Sequence, residues 1–169
     1  MAFWRLYYHL VWATKNREPV IVEALEASLY SYLVHKASEL GVFVYAANGW
    51  VDHMHLIVAI PPALAVADVA KRLKGASSHE MNRAHGVQTA FAWQRGYGAL
   101  SLGERQRPDA EAYVRRQKAH HSEQTTLAWL ERTMEFDEGP GRPGRTEGPL
   151  GQGLHEAGAA YDWQGDAPF

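Results

Sequence analysis

The chain has 169 residues, 46% hydrophobic and 21% charged, enough for one domain with its own core and ordinary for a soluble globular protein. It has no cysteine, which excludes disulfides, thiolate metal sites and cysteine nucleophiles; a reducing compartment, the cytoplasm, is the expected location. The net charge of −2 hides an asymmetry, because residues 1–121 hold 14 Lys/Arg against 10 Asp/Glu while 122–169 hold 3 against 9. The body is therefore mildly basic and the acidity sits at the C-terminal end. No apolar run approaches the roughly 20 residues of a membrane span, and the opening MAFWRLYYHLVWATKNR lacks a signal-peptide pattern, so no membrane partner is expected.

Residues 3–14, aromatic and β-branched, read as a strand broken at 15–19. Over 23–40, Leu25, Leu29, Leu33 and Ala37 recur on one helical face, with Gly41 as the stop. A strand at 42–47 and another at 50–60 flank Asn48-Gly49, a tight-turn signal that makes them a hairpin. Residues 64–83 read as a helix with Val66, Val69, Ala70 and Leu73 inward and Lys71, Arg72 and Lys74 outward. A fourth strand is expected around 90–100, a helix over 108–119 opened by Pro108-Asp109, and a last helix over 123–135. From Gly139 on, 12 of 31 residues are Gly or Pro, so 139–169 reads as a disordered acidic tail behind a domain of residues 1–138. The order strand–helix–strand–strand–helix–strand predicts an α+β, ferredoxin-like (split βαβ) sandwich: an antiparallel sheet with helices on one face, plus a further C-terminal helix.

Within GWVDHMHLIVAIPP, His53 and His55 alternate with apolar residues and point to one side of their strand, about 6–7 Å apart at roughly 3.3 Å per residue. Imidazoles at that spacing can converge on one metal ion; equally, two core histidines can be satisfied by hydrogen bonds. The opposite side carries Met54, Leu56 and Val58 and reads as core. Position 57 is Ile, which excludes a histidine-triad hydrolase. No second His–x–Thr/Ser copy supports a two-histidine phosphodiesterase, and no His–Glu–x–x–His helix supports a zinc protease.

In EAYVRRQKAHH, Tyr113 and Gln117 stand four apart on the expected helix and share a face. The tyrosine hydroxyl is a potential nucleophile and the glutamine oxygen a neutral metal ligand; the alternative is an amphipathic helix with Tyr113 half buried. Arg115 and Arg116 lie beside them, and Lys15, Arg17, Lys71, Arg72, Lys74 and Arg95 are the other candidate phosphate contacts, or else solvated surface charges. Trp93 either stacks on a base or joins Phe91 in the core.

Taken in order, YYHLVWATKNREP, GWVDHMHLIVAIPP, Lys71 to Lys74, FAWQRGYGALSL and AEAYVRRQKAHH resemble the single-tyrosine HUH transposases, of the insertion-sequence-200-like and REP-associated tyrosine transposase kind, over about residues 1–135. The resemblance implies a metal-dependent DNA transposase that cleaves and rejoins single-stranded, hairpin-containing DNA through a 5′-phosphotyrosine. It implies Tyr113 as nucleophile and His53, His55 and Gln117 as ligands of Mg²⁺ or Mn²⁺. It also implies a homodimer with exchanged tyrosine helices in some members and a monomer in others. Asp52, directly before His53, departs from the pattern and adds negative charge to the pocket if it lies near. Two rival readings stand: a domesticated module that binds single strands without cutting, and a phosphodiesterase using water in place of Tyr113.

Overall fold

The computed structural model describes residues 2–85 and 90–133. Its elements are β1 (Tyr7–Ala13), a short 3₁₀ turn (Lys15–Arg17), α1 (Glu23–Glu39), β2 (Phe43–Trp50), β3 (His53–Ala59), α2 (Val66–His85), β4 (Gly98–Leu102), α3 (Arg107–Arg115) and α4 (Gln117–Ser122). The four strands form one antiparallel sheet in the order β2-β3-β1-β4. β3 lies between β1 and β2, the split βαβ arrangement expected.

The sheet buries both faces by different means. On one face Leu10, Trp12, Met54, Leu56 and Val58 meet Leu25, Leu29, Leu33 and Ala37 of α1 and Val69 and Leu73 of α2. On the other, Ala46 and Ile57 meet Val114 of α3, flanked by Tyr45, Leu102 and Tyr113. The four-residue spacing of α1 is therefore its buried stripe, and the pleat of β3 separates Met54, Leu56 and Val58 from His53, His55 and Ile57. Trp93 packs edge-on against both Trp12 and Phe91, so it belongs to the core.

Four expectations on local structure need correction. Asn48-Gly49 is not the turn: both lie inside β2, opposite His55 and Met54, and the two-residue loop is Val51-Asp52. The glycine answers a close backbone approach, since a Cβ at Gly49 would stand 2.2 Å from the His53 carbonyl oxygen. Asn48 accepts from the Gly49 N–H and donates to the Arg115 carbonyl, tying β2 to the end of α3. The fourth strand is later than expected: Phe91 and Trp93 precede it, and pairing with β1 starts at Gly98. The helix expected over 108–119 is broken at Arg116 (φ −96°, ψ 11°), which separates α3 from α4. The helix expected over 123–135 is absent from its described part, 123–133. There α4 ends in a left-handed Gln124 (φ 55°), with Thr125 N–H bonded to His120 O and Gln124 N–H to His121 O, the paired closure that terminates helices. The proposed tail, 139–169, lies outside the described residues.

Candidate active site

β3 delivers His53 and His55 side by side on the face covered by α3 and α4, and the remainder of the site comes from the chain after α4. His53 Nδ1 lies 2.6 Å from Asp52 Oδ1, and Asp52 Oδ2 takes a second bond from Arg17 Nη1 at 3.2 Å. Arg17 reaches it from a left-handed backbone (φ 53°), a conformation that costs a non-glycine residue about 1–3 kcal/mol and that its bonds to Asp52, the Glu131 carbonyl and Thr133 offset. His55 is held from the other side, its Nδ1 2.8 Å from Nε2 of His9 on β1. Both ligand candidates thus have one ring nitrogen fixed by a partner and Nε2 turned inward, as a metal-binding imidazole requires.

What they turn toward is Glu131. Its Oε2 lies 2.9 Å from His53 Nε2 and 3.1 Å from His55 Nε2. Its Oε1 accepts from the Tyr113 hydroxyl at 2.7 Å and from Gln117 Nε2 at 2.6 Å. The carboxylate can come this close because Gly98 lets the strand edge and the Arg132 carbonyl meet; a Cβ there would stand 2.4 Å from that oxygen. Burial alone would raise the Glu131 pKa, but the His53 and His55 bonds outweigh it and hold the group far below the carboxylate range. Burial alone would lower the His53 pKa, but its bonds to Asp52 and Glu131 outweigh that and raise it. Burial lowers His55, and lowers His9 to about 3 with help from its neighbour His55. Tyr113 is raised, first by burial, while the Leu127 N–H on its oxygen opposes and Glu131 adds to the rise.

His53, His55 and Glu131 offer three ligand atoms within 4.8 Å of one another, a group that could hold a divalent metal. The fit has a second sign. Gln117 is fully buried and its Oε1 has no hydrogen-bond partner, an orphaned acceptor beside that group. An amide and a carboxylate with two imidazoles form a mixed N/O donor set of the type divalent first-row ions accept.

Tyr113, His53, His55 and Gln117 are brought together, although Arg116 puts Tyr113 and Gln117 on separate helices rather than on one face of a single helix. Lys15, Arg17, Lys71, Arg72, Arg95, Arg115 and Arg116 are exposed. Lys74 is not on the outward face expected of it: it is buried, and its ammonium donates to the Arg95 and Gly96 carbonyls at 2.9 and 2.8 Å, clamping that loop. Arg115 donates to the Tyr45 carbonyl. Asp52, seen from the sequence only as a departure, is the group that orients His53. The residues sequence reasoning missed are Glu131, His9 and His121. His9 shares the parity of His55 in the register and His121 lies four beyond Gln117, usable signals; Glu131, 76 residues from His55, left none.

The family profile described as "Transposase IS200 like" matches residues 2–117. The chain is 30% identical over 119 residues to the ISDra2 transposase TnpA of Deinococcus radiodurans, covering 68% of this chain and 85% of that one. It is 27% identical over 106 residues to the transposase for insertion sequence element IS200 of Salmonella typhimurium, covering 60% and 70%. Among solved structures it resembles a putative transposase from Deinococcus radiodurans (TM-score 0.56, 30% identity, 69% of this chain and 93% of that chain). It shares its fold with a REP-associated tyrosine transposase bound to a REP hairpin (TM-score 0.54, 14% identity, 72% and 74%).

Proposed function

The chain belongs to the IS200-like transposase family, and on that premise we propose that it cuts and rejoins single-stranded DNA beside a hairpin, with the Tyr113 hydroxyl as nucleophile. The observation that carries this reading is one point of convergence: Tyr113 Oη, His53 Nε2, His55 Nε2 and Gln117 all meet a single carboxylate. Binding alone would not require a nucleophile at a cation site, which sets the non-cutting module behind the enzyme.

The scissile phosphate enters beside Tyr113. Its oxygen forms a bond to phosphorus, the bond from phosphorus to the 3′ oxygen breaks, and the products are a 5′-phosphotyrosine and a free 3′-hydroxyl. A 3′-hydroxyl attacking that linkage reverses the step and rejoins a strand. His53 and His55, with Glu131 and Gln117 as oxygen donors, are the residues that would hold a divalent ion, Mn²⁺ or Mg²⁺, which when bound offsets charge on the phosphoryl oxygens. The neutral Tyr113 hydroxyl is favoured by burial, so its proton leaves only as its oxygen engages phosphorus. Glu131, 2.7 Å away, is the acceptor in place. Exposed Lys15, Lys71, Arg72, Arg95 and Arg116 are the candidate backbone contacts, and the relative bound to a REP hairpin supports a hairpin as the DNA feature recognised.

The test is a denaturing gel of labelled single-stranded hairpin DNA after incubation with Mn²⁺ or EDTA. A metal-dependent protein–DNA adduct lost in Tyr113→Phe supports the reading. Cleavage that survives Tyr113→Phe transfers the reaction to water and sinks it. Because the Tyr113 ring lies edge-on to His55 of its own chain, with centroids 6.4 Å apart, activity within one chain is the reading adopted. A mixture of Tyr113→Phe and His53→Ala proteins that regains cleavage would instead establish exchanged tyrosine helices between two copies.

A further inference from the structure

His121 has no role in the reaction as described, yet it points into the same cluster. Its Nε2 lies 3.2 Å from His53 Nε2, 3.1 Å from Gln117 Nε2 and 3.8 Å from Glu131 Oε2. Neighbouring donors around a common ion with bonds of about 2.1 Å stand roughly 3.0 Å apart in an octahedron and 3.4 Å in a tetrahedron. The separations from Glu131 to His53, His55 and His121 (2.9, 3.1 and 3.8 Å) and from His53 to His121 (3.2 Å) bracket those edges, and the ligand atoms of His53, His55 and Glu131 all lie within 4.8 Å of one another.

The ring of His121 is also held as a ligand ring is held. It stacks on Trp50 with centroids 5.0 Å apart and planes 8° from parallel, which fixes the direction of Nε2. The amide nitrogen of Gln117 donates to that Nε2 at 3.1 Å, so its lone pair faces the cluster. Turning over the Gln117 amide would replace its Nε2 in the cluster by the orphaned Oε1.

Resting on the metal site proposed above, we propose that His121 is a further ligand of that centre, adding a third imidazole to His53, His55, Glu131 and the Gln117 amide oxygen. Such a nitrogen-rich set favours a borderline transition ion (Mn²⁺, Co²⁺, Ni²⁺ or Zn²⁺) over Mg²⁺, which prefers oxygen donors and keeps its waters.

The measurement is metal binding to the full chain without DNA: calorimetric titration with Mn²⁺, Co²⁺ and Mg²⁺, and pulsed electron paramagnetic resonance on the Mn²⁺ protein to count bound nitrogens. His121→Phe keeps a ring on Trp50 and removes the donor; circular dichroism confirms folding, and His121→Asn replaces it if the phenylalanine is not accommodated. The expected result is wild-type preference for Co²⁺ and Mn²⁺ over Mg²⁺. In the variant, Co²⁺ affinity falls by at least the roughly 10–100-fold that even outer partners of ligands carry. One nitrogen disappears and Mg²⁺ binding is unchanged. Tight wild-type binding with unaltered affinity and nitrogen count in the variant overturns the role of His121 and leaves the centre of His53, His55 and Glu131 standing. A wild-type protein that binds none of the three ions overturns both.

Discussion

The two sides of β3 are equally buried and held by opposite physics. Met54, Leu56 and Val58 are covered by aliphatic and aromatic side chains from α1 and α2, and water is excluded because apolar surface gains by leaving it. His53 and His55, at most 1% exposed, are covered by polar groups that bond to them or to one another: Asp52, His9, Glu131, Gln117 and His121. The first side is driven together. The second is tolerated because carboxylates lie against the imidazoles, Asp52 on His53 and Glu131 on both His53 and His55. His53, His55 and Glu131 on this side form a group that could hold a metal ion.

Changes on the two sides should therefore separate stability from metal affinity. Leu56→Ala should cost about 2–5 kcal/mol in urea unfolding while leaving metal affinity of the folded protein intact; parallel loss of both would break the contrast. Asp52→Asn should do the reverse. It weakens the bond that orients His53, so Mn²⁺ affinity should fall about 10–100-fold in calorimetry with a much smaller change in unfolding midpoint.

An intermediate effect belongs to His9. With its folded pKa near 3 against 6.5 unfolded, the unfolded chain binds the extra proton between those values. Stability from this group is complete above about pH 6.5 and declines as pH falls toward 3, by at most about 1.4 kcal/mol per pH unit. Urea midpoints measured from pH 7 to pH 5 should fall less steeply in His9→Leu than in wild type; equal slopes would mean that His9 takes up its proton equally in the folded and unfolded chain. The smallest effect is expected at Lys71, exposed and remote from either side: Lys71→Ala should leave stability within about 0.5 kcal/mol and lower the salt slope of DNA binding by about 1.

How far the sequence could be read follows from range. The α1 stripe and the pleat of β3 are local periodicities, and both are found in the structure. Asn48-Gly49 misleads because its chemistry suits two situations, a turn and a close strand approach, and only the pairing of Trp50 with His53 decides between them. The helix expected over 123–135 fails at Gln124, where a left-handed residue closes α4 and sends the chain back across the site. His53, His55, Tyr113 and Gln117 were visible as spaced motifs. Glu131 was not, because a single acidic residue in an aperiodic stretch meets partners 18 and 76 positions away only once the sheet and α3 are in place.

That long reach orders events during synthesis. His53 and His55 can be set in the sheet early, and Tyr113 can dock on it later, but the carboxylate that joins them is the last of the set to be made. A nascent chain ending before residue 131 carries its histidines and its tyrosine without the group that links them. Assembly of this centre therefore reports that translation has passed Glu131.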